Sequence, residues 1–109
     1  MYVVIFELTP TPSGIDSYFD IANTLAPRLQ TVDGFISIER FQSVHDPNRF
    51  LSISYWRDEK SIKTWRTEEK HRNAQNLGRN KLFDNYRLRV ASIVRDYSMK
   101  DREQAPNDY

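Results

Sequence analysis

Apolar and polar positions follow two rhythms along this chain, and the switches between them mark its elements. Tyr2 to Leu8 (YVVIFEL) is a β-branched and aromatic run closed by Thr-Pro-Thr-Pro. It predicts a strand, with Val3 and Ile5 on one face and Val4, Phe6 and Leu8 on the other. Both faces are apolar, so this strand asks for cover on both sides. From Ile15 the spacing changes. Ile15, Tyr18, Phe19, Ala22, Leu25, Ala26 and Leu29 recur three and four residues apart, which draws one apolar stripe along a helix. Ser13 and Asp16 are spaced as in a capping box at its start. Pro27 removes a backbone donor inside the stripe, which predicts a kink or an early end.

Asp33-Gly34 reads as a turn. Phe35 to Phe41 (FISIERF) alternates and reads as a strand. Ser43 to Asn48, containing His45, Asp46 and Pro47, reads as a hairpin loop. Phe50 to Trp56 (FLSISYW) is the third strand. Leu51, Ile53 and Tyr55 share one of its faces; Phe50, Ser52, Ser54 and Trp56 share the other. Asp58 is placed to cap a short helix through Trp65, with Ile62 and Trp65 inward. Thr67 is placed to cap a second helix running to about Phe83, with Glu68 and Glu69 at its positive end. Tyr86 to Tyr97 (YRLRVASIVRDY) reads as a long last strand.

The order β-α-β-β-α-β predicts an α+β, ferredoxin-like fold: an antiparallel four-stranded sheet with helices on one face. It forms one domain over 1–98, with a polar, loose tail over 99–109. The helices leave the other sheet face open, and Phe6, Phe41, Phe50 and Trp56 are the large groups expected there. An open aromatic face is an unusually large patch for a monomer. A second copy packed sheet to sheet, as a homodimeric α+β barrel, would cover it. The alternative phase turns those aromatics toward the helices.

Composition narrows the partners. A chain of 109 residues buries about two-thirds of its unfolded surface, enough for a core without staples. It contains no cysteine, which excludes disulfides and thiolate metal sites. With 16 basic and 15 acidic side chains, neither nucleic acid nor an anionic membrane is selected as a partner. The longest apolar run, Val3 to Phe6, is far too short to span a bilayer, and the first residues lack a signal-peptide layout. The expectation is a soluble, cytoplasmic protein.

Candidate chemistry concentrates in WRTEEKHRNAQNLGR, Trp65 to Arg79. On a continuous helix His71, Gln75, Gly78, Arg79 and Leu82 draw one stripe. It mixes a titratable ring, an amide and a guanidinium, and Gly78 costs about 1 kcal/mol relative to alanine inside a helix. One reading is the polar wall of a pocket. The other is a solvated helix face, since Glu68, Glu69, Lys70, Arg72, Asn73 and Asn76 surround it. Ser52 and Ser54 are small polar residues among aromatics and leave room for a ligand. No Gly-rich phosphate loop, Gly-x-Ser-x-Gly or His-Glu-x-x-His occurs. Two histidines, His45 and His71, without cysteine argue against a dedicated transition-metal site.

Four segments carry a resemblance: GFISIER from Gly34, LSISYWRDEKSIKTWR from Leu51, EKHRNAQNLGR from Glu69 and YRLRVASIVRDYS from Tyr86. Together they resemble the antibiotic biosynthesis monooxygenase domain family of the dimeric α+β barrel superfamily, from Val3 to about Ser98. The resemblance implies a homodimer with a cavity between sheet and helices in each subunit. Some members oxidise phenolic intermediates with O2 and neither metal nor flavin; the substrate, once deprotonated, reacts with O2 directly. Others open heme, which is both substrate and cofactor, or act as quinol oxidases or isomerases. The heme-degrading branch has an asparagine on the first strand and a histidine ten positions after a tryptophan. Here the first strand has Phe6 and Glu7, and Gln75 stands ten positions after Trp65, so heme degradation is the weakest option.

The resulting expectation is a cofactor-independent monooxygenase acting on a small aromatic, phenolic or quinol substrate. Trp65 would stack on the ring. His71, with an ordinary pKa near 6.5, would remove the phenolic proton. Arg79 would stabilise the oxyanion, and Tyr86 would donate a hydrogen bond to substrate or peroxide. Gln75, Ser52, Ser54 and Phe6 would bind substrate. The competing expectation is a non-catalytic small-molecule-binding or stress-response dimer of the same fold.

Overall fold

The computed structural model describes residues 1–77 and 82–106, and of residues 70–77 the backbone alone. The elements run β1 (Tyr2–Pro10), α1 (Ile15–Leu29), β2 (Phe35–Gln42), β3 (Phe50–Trp56), α2 (Glu59–Leu77) and β4 (Phe83–Ser92). The four strands form one sheet in the order β2-β3-β1-β4, and every neighbouring pair is antiparallel. This is the expected ferredoxin-like β-α-β-β-α-β arrangement.

Register assigns the faces. Residues opposite one another across a ladder share a face. Val4 pairs with Ser54 and Val90, Phe6 with Ser52 and Leu88, and Tyr2 with Trp56; Ser54 and Ser52 pair in turn with Ile38 and Arg40. The helices cover this face. Val4, Leu25, Leu29, Trp56, Ile62 and Trp65 form the core cluster on it, and Trp56 is only 2% exposed. Each such fully buried side chain contributes about 1.5–3 kcal/mol.

Three of the four aromatics expected on the open face therefore lie on the helix side. Trp56 is in the core, Phe50 packs edge-on against Phe19 of α1 with centroids 5.4 Å apart, and Phe6 is half-buried. Phe41, 43% exposed, is the one on the open face, opposite Leu51. Alternation splits a strand into two faces but does not say which of them the helices take.

The structure also corrects the expected element ends. The α1 cap position is Gly14, with no side-chain cap bond; a Cβ there would meet the Leu82 carbonyl oxygen at 2.6 Å, so close approach rather than capping governs the site. Pro27 sits in the last turn, where α1 ends at Leu29. The two expected helices, one short and one running from Thr67, are one helix, α2; the Thr67 hydroxyl bonds back to the Lys63 carbonyl at 2.8 Å instead of capping a new start. Phe83 begins β4 opposite Pro10 instead of ending a helix. At its other end β4 stops where its partner does: the last rung is Tyr2–Ser92, followed by the bond from Ile93 N–H to the Met1 carbonyl.

Asp58 does cap α2. Its Oδ1 accepts from the Ser61 amide at 2.8 Å and the Ser61 hydroxyl at 2.6 Å, while Oδ2 accepts from Arg57 Nε. These bonds, the Ser61 hydroxyl first, hold the Asp58 carboxyl well below the usual carboxylate range. Arg57 also forks onto both oxygens of Asp33 at 3.0 and 2.9 Å. Between them Gly34 adopts φ +91°, a left-handed conformation that side chains disfavour, and an added Cβ would overlap the Ser61 hydroxyl. The turn, the cap and the ion pairs together fix where α2 crosses the sheet. Further along, α2 is tied to α1 by the Arg28–Glu68 pair.

Candidate functional site

Between the helices and the sheet lies a cavity of about 750 Å³, within the range of about 300–1,000 Å³ common for small-molecule sites. β3 makes it possible. On its inward face Trp56 fills the space, but Ser54 and Ser52, 6% and 7% exposed, do not. Both serines line the floor. Ser54 Oγ accepts the indole N–H of Trp56 at 2.9 Å. The Ser52 hydroxyl has no hydrogen bond among the described residues.

Trp65 of α2 and Leu25 and Leu29 of α1 line the helix side. One wall is a ring cluster in which Phe6 meets Phe83 at 5.9 Å and Tyr86 at 5.8 Å, and Phe83 meets Tyr18 at 5.8 Å. Such tilted and edge-on pairs give a rigid aromatic surface. Polar groups punctuate it. Arg66 Nη1 donates to Glu69 Oε2 at 2.9 Å, and both residues line the cavity, as do Arg40, Asp84 and Asn85.

Five of the eight expected site residues meet here. Trp65, Phe6, Ser52, Ser54 and Tyr86 line the one cavity; Trp65 is 6% exposed, whereas Tyr86, at 60%, stands at the mouth. His71 and Gln75 are in α2, but their side chains lie outside the described residues, as do Gly78 and Arg79 altogether. The stripe expected through Leu82 does not run as one helix, since α2 extends to Leu77 and Leu82 directly precedes β4. His45 is in the hairpin, where its amide donates to Ser43 Oγ.

Sequence reasoning missed Arg40, Arg66 and Glu69. For Arg40 a signal existed: in FISIERF it shares a face with Ile38, an inward-facing position where a charge is unusual. The Arg66–Glu69 spacing of three residues carried no signal, because such pairs occur on any wet helix.

A sheet of this order, covered on one side by two helices that leave a mostly apolar cavity, is the frame of a ferredoxin-like α+β protein. Residues 1–77 match the family model described as antibiotic biosynthesis monooxygenase, and the chain belongs to that family. Over 94 residues it is 46% identical to jasmonate monooxygenase ABM of Pyricularia oryzae; the match covers 86% of this chain and 44% of the relative. The chain thus spans less than half of that relative's length. Among solved structures, Rv0793 from Mycobacterium tuberculosis superposes with a TM-score of 0.74 at 15% identity, covering 89% of this chain and 98% of the other. SnoaB, a cofactor-independent oxygenase from Streptomyces nogalater, gives 0.69 at 14% identity, over 87% and 94%. At these identities the structural likeness speaks for the fold alone. No described helix is long and apolar enough to cross a membrane.

Proposed function

We propose that the protein is a monooxygenase that binds a small, largely apolar ring compound in the helix-side cavity and oxidises it with O2 without a cofactor. The cavity carries this reading: about 750 Å³, walled by Trp65, Phe6, Phe83 and Tyr86, with a few polar groups aimed along it. That is the constitution of a site that desolvates and orients a planar molecule. A phenol or quinol suits it, because its anion delivers electrons to O2 directly once a base removes the proton. The family and the name of the fungal relative support oxygenation.

In this reading Trp65 stacks on the ring, Tyr86 donates a hydrogen bond at the mouth, and Ser52, Ser54 and Phe6 shape the floor. His71 is the base, Arg79 the oxyanion partner and Gln75 a substrate contact. The working form is a homodimer joined through the open sheet face, where Ile5, Ile53, Leu51 and Phe41 come together. Oxygen uptake with a dihydroxynaphthalene and anthrone panel tests the proposal. Uptake that depends on compound and protein, and that falls at least about tenfold in His71→Ala, is the expected result. Uptake that survives His71→Ala moves the base to Glu69 or Asp84. No uptake with any member of the panel overturns the phenol and quinol reading.

A further inference from the structure

We infer that Arg40 and Ser52 form a carboxylate-recognition pair at the β2 edge of the cavity, so that the substrate is a small apolar acid. This rests on the cavity being the substrate site, as proposed above. Arg40 and Ser52 are directly opposite in the β2–β3 ladder, which places their Cβ atoms about 5 Å apart on the helix-side face. Both line the cavity. Among the described residues Arg40 has neither an ion pair nor a hydrogen bond from its guanidinium. Every other described arginine in the cavity wall or on β1, β3 and their loops is matched: Arg66 by Glu69, Arg49 by Glu7 and Arg57 by Asp33 and Asp58.

Ser52 is the independent second observation. It is more than nine-tenths buried and lines the cavity with a hydroxyl that has no partner among the described residues. A hydroxyl that faces the cavity without a protein partner is free to bond a ligand or water there. A guanidinium beside a free hydroxyl offers convergent N–H and O–H donors, which match the two oxygens of a carboxylate.

The position also sets the ligand's shape. In the same row across the sheet stand Arg40, Ser52, Phe6 and Leu88. Three strand spacings separate Arg40 from Leu88, about 14 Å. An acid held at the β2 edge would therefore run its apolar body across Ser52 toward the Phe6–Phe83–Tyr86 cluster. The charged end stays at the β2 edge, where Arg40 is exposed, and the ring lies against Phe6 and Phe83.

The test measures binding, apart from turnover, by calorimetry under nitrogen. The probes are two matched pairs: jasmonic acid with its methyl ester, and dihydroxynaphthoic acid with dihydroxynaphthalene. The expected result is that wild-type protein binds at least one acid about tenfold more tightly than its neutral partner. Arg40→Gln should abolish that preference and leave the neutral compound's affinity unchanged, which also shows that the variant folds. Ser52→Ala should lower acid affinity a few-fold. Equal binding of acid and neutral partner, or a preference that survives Arg40→Gln, overturns the inference. Neutral compounds that bind and consume O2 without an acid preference would leave the proposed function standing and sink this inference alone. An Arg40-dependent acid preference with no oxygen uptake would do the reverse.

Discussion

The two faces of this sheet are built from the same four strands yet do opposite things. On the helix side of β3, two serines stand between Phe50 and Trp56. Trp56 closes the core, and Ser54 and Ser52 open a void that α1 and α2 roof over. On the other side, Ile5 and Ile53 stand opposite each other, flanked by Leu51, Tyr55 and Phe41 and fringed by Glu7 with its partners Arg49 and Arg89 at 3.5 and 3.2 Å. The first face is concave and bounds the cavity. The second is extended, with Ile5, Ile53 and Leu51 at its centre and charges at its rim, the composition that the proposed dimer interface requires. A void needs missing side-chain volume backed by rigid neighbours, whereas an interface needs volume presented outward. The pleat of one strand supplies both.

Charging the open face should give the largest effect. Ile53→Lys places a charge at the centre of that face, while Glu39, directly opposite on β2, offers it a partner within the monomer. The expected outcome in sedimentation velocity is a shift from dimer to monomer, with dimer affinity weakened about a hundredfold or more, since an interface would have to bury the charge. Monomeric wild-type protein, or a variant that dimerises equally well, would show that this face is not the interface.

A smaller effect is expected at the device that holds the roof in place. The Asp58 carboxyl is depressed by its bonds from Ser61 and Arg57. A depressed folded-state value means that its contribution to stability is present above the unfolded value of about 4 and is lost as pH falls toward the folded one. Asp58→Asn should therefore melt slightly below wild type between about pH 5 and pH 7, with the gap closing as the pH drops below about 4. A gap that persists unchanged below about pH 4 would assign the loss to shape rather than charge.

Much of the frame was legible in sequence because the two rhythms are strong. The third strand runs from Phe50 to Trp56 as read, and the stripe ending at Leu29 gives the first helix. What sequence could not supply was the choice of face. Val3 and Ile5 are as apolar as Val4 and Phe6, so the strand pattern is symmetric and only the packed helices break the symmetry. That is why Phe6, Phe50 and Trp56 were expected outside. The site was half legible for a related reason. Trp65, Ser52 and Ser54 stand out by size or polarity on an aromatic face. Arg66 and Glu69 read as ordinary surface charges until α2 sets them over the cavity, whereas Arg40 carried a signal in its inward-facing strand position.

The cavity as a ligand site is the centre of this account, and Trp56 and Trp65 in its wall report on it directly. Indole fluorescence should be followed while dihydroxynaphthalene is titrated under nitrogen into wild type and Ser52→Phe, a variant that fills the floor without removing a hydrogen bond. The account predicts saturable quenching with one site per chain in the wild type. It predicts loss of that quenching in Ser52→Phe, whose cooperative melt shows it folded. Quenching of equal depth and affinity in the two proteins would contradict it, because the compound would then be bound somewhere other than the space that the two serines leave open.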